Sequence, residues 1–161
     1  MKKLSIVALI ITAVIGQVLA QNPEVQVNKA REAIKVFDIQ AADEAYKAAM
    51  KLAIDEDEYK QIETEWQVLE KINILLRDAR RAMDGSDYAE ALAKYEETLG
   101  MIKGSPHDIW GRFKAEAYYS MGMVHYRQEK PILAADEFRN AMGFDPEETK
   151  YGKAIEMVRN K

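Results

Sequence analysis

Apolar residues recur every three or four positions at Tyr59, Ile62, Trp66, Leu69, Ile72, Leu76, Ala79 and Met83, with no glycine or proline among them. That period gathers them on one stripe and predicts a single long α-helix from Glu56 to Met83. Further along, Tyr118, Met121, Phe138 and Ala141 keep the same spacing over two consecutive segments. Gly122 and Ala134 are small residues, one on each segment, so the two backbones can approach closely where the helices cross. Pro131 suits the first turn of the second segment. Asp145, Pro146 and Glu148 read as a cap, a first-turn proline and an acidic third residue, which predicts a last helix from Pro146 to Arg159. Its apolar side carries Tyr151, Ala154, Ile155 and Val158. Upstream, Lys103-Gly104-Ser105-Pro106 ends one helix, and Ser105, Pro106 and Asp108 begin the next near Pro106.

The pattern repeats. Asp87-Tyr88-Ala89-Glu90-Ala91, followed by Tyr95 and Leu99, places Ala91 where Ala134 sits, and Asp38-Ile39-Gln40-Ala41-Ala42, followed by Tyr46, Ala49 and Met50, does the same around Ala42. These alanines lie 49 and 43 residues apart. The 34-residue stretch from Ala115 to Glu148 resembles the tetratricopeptide repeat (TPR): Tyr118, Met121, Gly122, His125, Ala134, Phe138 and Pro146 keep the spacing of W-x2-L-G-x2-Y, A-x3-F and P. Tyrosine replaces tryptophan, methionine replaces leucine, and histidine replaces tyrosine beside Tyr126. The resemblance implies an all-α fold, in which antiparallel helical hairpins stack as a short TPR-like right-handed solenoid. The hairpins would cover about residues 23–53, 56–103 and 106–144, with a C-terminal capping helix at 146–159. A generic bundle of helical hairpins fits the same amphipathic segments.

The first twenty residues differ in kind. Lys2 and Lys3 precede an apolar run from Leu4 to Ile15, and Val18-Leu19-Ala20 offers a small-residue cleavage site before Gln21. This is the layout of a secretory signal peptide at 1–20, leaving a domain at 21–161, and it predicts export to a bacterial periplasm or cell envelope. Retained as an uncleaved anchor, Leu4 to Ala20 would span about 25 Å, short of a bilayer core of about 30 Å. There is no cysteine, so neither a lipid-attachment cysteine nor a disulfide exists. The formal net charge of −4 becomes about −6 once Lys2 and Lys3 leave, which argues against unspecific nucleic-acid binding. Asp55 to Glu58 reads as a run of first-turn acids rather than a calcium loop.

Candidate catalytic chemistry is sparse. The two histidines, His107 and His125, are 18 residues apart with no carboxylate at ligand spacing, so no metal site and no cofactor is expected. Glu63 with Glu65, and Glu96 with Glu97, read as exposed helical acids rather than a hydrolytic pair. The expectation is therefore a protein that is not an enzyme. The TPR resemblance implies a concave groove lined by the first helix of each hairpin. It assigns Arg31, Ile34 and Lys35 in the first, Asn73, Leu76, Arg80 and Met83 in the second, and Glu116, Tyr119, Met123, Tyr126 and Arg127 in the third. Arg80 and Arg127 would hold a carboxylate, and Tyr119, Met123 and Tyr126 would give apolar contact. Trp66 and Trp110 are expected as core or hairpin-edge anchors. The implied function is a non-catalytic extracytoplasmic scaffold or adaptor that binds a protein or peptide partner. Alternatives are a glycan- or small-ligand-binding accessory using the same aromatics as stacking platforms, and a membrane-anchored structural subunit.

Overall fold

The computed structural model describes residues 22–103 and 109–160. Every regular element among them is helical: α1 (Pro23–Lys35), α2 (Ile39–Leu52), α3 (Glu56–Asp84), α4 (Tyr88–Lys103), α5 (Gly111–Arg127), α6 (Pro131–Phe144) and α7 (Thr149–Arg159). This is the expected all-α series of helical hairpins. The proposed signal segment, His107 and the Gly104 to Asp108 junction lie outside the described residues.

The chain divides into two compact units. The first holds residues 22–34 and 38–67, and the second holds 35–37 and 68–160, so α3 contributes to both. In the first unit, Asn22 caps α1 by accepting from the Glu24 amide at 2.8 Å, and Asp38 caps α2 by accepting from the Ala41 amide at 3.0 Å. Its apolar stripes bury Ala30, Ile34, Ala42, Tyr46, Ala49 and Ile62. Trp66 is anchored at the edge, donating its indole N–H to Asp43 at 2.8 Å beneath the Lys47 ammonium.

In the second unit α4 packs on α5, α5 on α6 and α6 on α7. Gly122 of α5 faces Phe138 and the Ala134 carbonyl of α6, which is the close crossing expected of two small residues. Ala134, Ala135 and Phe138 then join Ala154, Ile155 and Val158 of α7 in one core cluster, while Ala115, Ala141 and Tyr151 form another. Trp110 is buried edge-on against Phe113, whose ring also meets Phe37 at 4.4 Å.

Three hairpin turns share one construction. Phe37, Ser86 and Glu129 adopt positive φ of 62°, 63° and 60°. The following amide in each case reaches back five residues, Asp38 to Ala33, Asp87 to Ala82 and Lys130 to His125, at 2.8 to 2.9 Å. Each is a helix stop of the Schellman type whose last residue also starts the next helix. Asp87 repeats the Asp38 cap by accepting from the Glu90 amide at 3.0 Å, whereas Lys130 has no side-chain cap and is followed by Pro131 in the first turn.

Two boundaries differ from expectation. The last helix begins at Thr149 rather than Pro146, because Asp145 ends α6 and turns its carboxylate to Arg112 at 3.4 Å. Glu148 caps α7 instead, accepting from the Lys150 amide at 3.1 Å. The helix expected to start near Pro106 begins at Gly111, since Ile109 and Trp110 are non-helical.

Candidate functional site

Arg80, Met83 and Asp84 are spaced i, i+3 and i+4 near the end of α3, and Glu116, Tyr119, Ser120 and Met123 are spaced i, i+3, i+4 and i+7 on α5. Each set therefore shares one helical face. Together the two faces line a cleft of about 270 Å³ within the second unit. Its apolar part is built from the two methionines and Tyr119, and its polar part from Arg80, Asp84, Glu116 and Ser120.

The charges are already organised. Arg80 donates to Glu116 at 3.3 Å, and Lys150 of α7 donates to the other oxygen of that carboxylate at 2.7 Å. The Lys150 ammonium also lies 5.0 Å from the Tyr119 ring centroid and 5.2 Å from that of Tyr151. Arg127 donates to the Met83 carbonyl at 3.3 Å, serving one of the open carbonyls at the end of α3. Tyr95 of α4 is fully buried beside Ser120. Burial raises its pKa, and Arg80, Glu116 and Asp84 are its charged neighbours.

Of the residues assigned to a groove, Arg80, Met83, Glu116, Tyr119 and Met123 line this cleft, and Arg127 sits against its Met83. Tyr119 is no open platform: besides Lys150, it meets Phe138 and Tyr151 at 5.5 and 5.6 Å between ring centroids. Tyr126 packs against the α6 and α7 core and lines a separate cleft of about 300 Å³ with Glu129, Pro131 and Val158. Leu76 and Ile34 are core residues, 3% and 0% exposed, and so are withdrawn from the groove. Asn73 and Lys35 are exposed, away from the cleft. Asp84 and Ser120 were not anticipated, although they sit four residues after Arg80 and Glu116, on the same faces.

Arg31 belongs to the first unit, where its guanidinium grips Glu65 at 2.6 and 3.1 Å and Tyr46 adds a hydroxyl to the same carboxylate at 3.1 Å. The bond to Glu65 raises the Arg31 pKa, and burial, reinforced by the Glu65 charge, raises that of Tyr46. Arg31 and Glu65 line a polar cleft of about 280 Å³ with Glu24, Val27, Glu58, Gln61 and Ile62. Here Glu65 works as a structural acceptor. Among the described residues no group of three His, Cys, Asp or Glu could hold a metal ion, and no helix is long and apolar enough to cross a membrane.

No family model matches the chain, and no curated protein matches it. Among solved structures it is similar to the crystal structure of the P58(IPK) TPR domain, at 18% identity and a TM-score of 0.43 over 87% of this chain. It spans 46% of the length of that structure.

Proposed function

We propose that the protein is a non-catalytic scaffold of the bacterial envelope that binds a protein or peptide segment in the cleft between α3 and α5. The observation that carries this reading is the cleft itself: two flexible methionine side chains and a fixed tyrosine form an adaptable apolar surface, rimmed by charges that set orientation. Arg80 and Met83 lie outside the buried core, while Met123 lines the cleft and also packs on the core cluster of α6 and α7. The N-terminal Lys2-Lys3 and Leu4 to Ile15 pattern supports an extracytoplasmic location.

Affinity capture from native envelopes tests the cleft, comparing the natural chain with Arg80→Gln/Met123→Gln. The variant is expected to lose a specific captured protein while keeping its helical circular dichroism. An identical captured set from both would move the interaction elsewhere. Sequencing the N-terminus of the exported form tests location, with Gln21 expected first. A form that keeps Met1 and resists carbonate extraction would favour an anchored subunit.

A further inference from the structure

Glu116 is reached by cations from two sides, Arg80 at 3.3 Å on one carboxylate oxygen and Lys150 of α7 at 2.7 Å on the other. The Lys150 ammonium also lies 5.0 Å and 5.2 Å from the ring centroids of Tyr119 and Tyr151, which stand 5.6 Å apart and tilted by 53°. A carboxylate with two ring faces is a cation-binding constellation, and here an ammonium from the protein's own last helix fills it.

Glu116 and Tyr119 belong to that constellation and also line the cleft, so the position held by Lys150 is within reach of a ligand lying there. Within the lining, the acids Asp84 and Glu116 stand against the single cation Arg80, and Met83 and Met123 offer apolar surface beside them. The Lys150 side chain is 39% exposed on a flexible stem, so its ammonium can turn out to water while Tyr151 keeps α7 in the core. Arg80, with a longer contact to Glu116 and 53% exposed, is left to donate to backbone carbonyls of the bound segment. Resting on the peptide-binding reading of this cleft, we propose that it recognises a lysine of the partner beside a large aliphatic residue, with Lys150 as an internal competitor. The incoming ammonium takes the Lys150 position at Glu116 and the Tyr119 ring, and the aliphatic group rests on Met83 and Met123. The affinity of the natural chain is then lowered by the share of molecules in which Lys150 holds that position.

The test uses N-acetylated, C-amidated octapeptides of glycine and serine with Lys-Leu, Gln-Leu or Glu-Leu at the centre. They are titrated into the full chain and followed through the backbone amide shifts of Ser120 and Met123. Lys-Leu is expected to bind about fivefold more tightly than Gln-Leu, the scale of one cation–π contact with a partly exposed ion pair, and Glu-Leu to bind weakest. Lys150→Met should widen the preference for Lys-Leu over Gln-Leu by a further factor of about five, and Glu116→Gln should remove it. Thermal melting checks the fold of each variant. The comparison of Lys-Leu with Gln-Leu on the natural chain stands on its own should Lys150→Met loosen α7. Equal binding of those two peptides, tighter binding of Glu-Leu, or a lysine preference that survives Glu116→Gln overturns lysine recognition while leaving a peptide-binding cleft in place. A preference that folded Lys150→Met does not widen overturns the competing role of Lys150. If none of the peptides shifts either amide in the natural chain or in Lys150→Met, the cleft reading falls as well.

Discussion

A Cβ at Gly122 would lie 2.5 Å from Cε1 of Phe138 and 3.1 Å from the Ala134 carbonyl oxygen. Phe138 is wholly buried and cannot swing away, so α5 and α6 must separate to admit even a methyl group. Gly122→Ala should therefore destabilise the protein by about 1–3 kcal/mol, although alanine is intrinsically the better helix former by about 1 kcal/mol. Urea unfolding measures this, and a stabilised variant would show that the crossing is looser than described. Ser86 presents the opposite case. Its φ of 63° costs a non-glycine residue about 1–2 kcal/mol, and its side chain is exposed. Ser86→Gly should gain roughly 0.5–1 kcal/mol after the added chain entropy of glycine is deducted, read as a higher melting temperature. The Gly122 crossing was legible in the sequence, because only a small residue satisfies that geometry. The turn at Ser86 was not, because phenylalanine, serine and glutamate carry no mark of a left-handed conformation.

Legibility followed the same physics at the level of the helix. The span of α3 was readable because an unbroken apolar stripe without glycine or proline has one regular solution, and the structure runs from Glu56 to Asp84. The start of α7 was misread because the role of Asp145 is decided by Arg112, a partner 33 residues away in sequence. The cleft was half legible for a related reason. The TPR resemblance named Arg80 and Met83 on one helix and Glu116, Tyr119 and Met123 on another, and these residues line one cleft, yet it could not foresee that Glu116 would bind two cations. That arrangement also ties α7 down: Lys150 joins Glu116 and lies over Tyr119 and Tyr151. Lys150→Met should loosen α7 by about 1 kcal/mol, combining a partly exposed ion pair with a cation–π contact. Hydrogen exchange at the Ala154, Ile155 and Val158 amides is expected to quicken roughly fivefold, with α4 protected as before. An unchanged rate would mean that apolar packing alone holds α7. The same geometry also makes charge reversal at Arg80 and Arg127 a poor probe of binding. Arg80→Glu faces Glu116, and Arg127→Glu faces the Met83 carbonyl, so both changes would disturb the fold along with the cleft.

With no cysteine in the chain, its response to chemical conditions runs through packing and protonation, and the buried tyrosines set the alkaline limit. Tyr46 in the first unit, and Tyr95 and Tyr151 in the second, all have raised pKa values, chiefly because burial disfavours the phenolate. Carboxylates add to this, Glu65 at Tyr46 and Glu116 at Tyr151. The sign follows from linkage. An unfolded tyrosine releases its proton near its ordinary value of 10.0, while the folded one holds it to higher pH, so the unfolded state is favoured once the pH passes that value. Stability contributed by these groups is complete below about pH 10 and is lost as pH rises toward their folded values. Denaturant midpoints should consequently be level from about pH 8 to 9.5 and fall steeply above about pH 10. Tyr151→Phe should flatten part of that fall, because it removes one titrating group while keeping the ring between Ala115 and Ala141. A slope above pH 10 that is identical in Tyr151→Phe and the natural chain would show that Tyr151 ionises as readily in the folded protein as in the unfolded one, contrary to its 2% exposure.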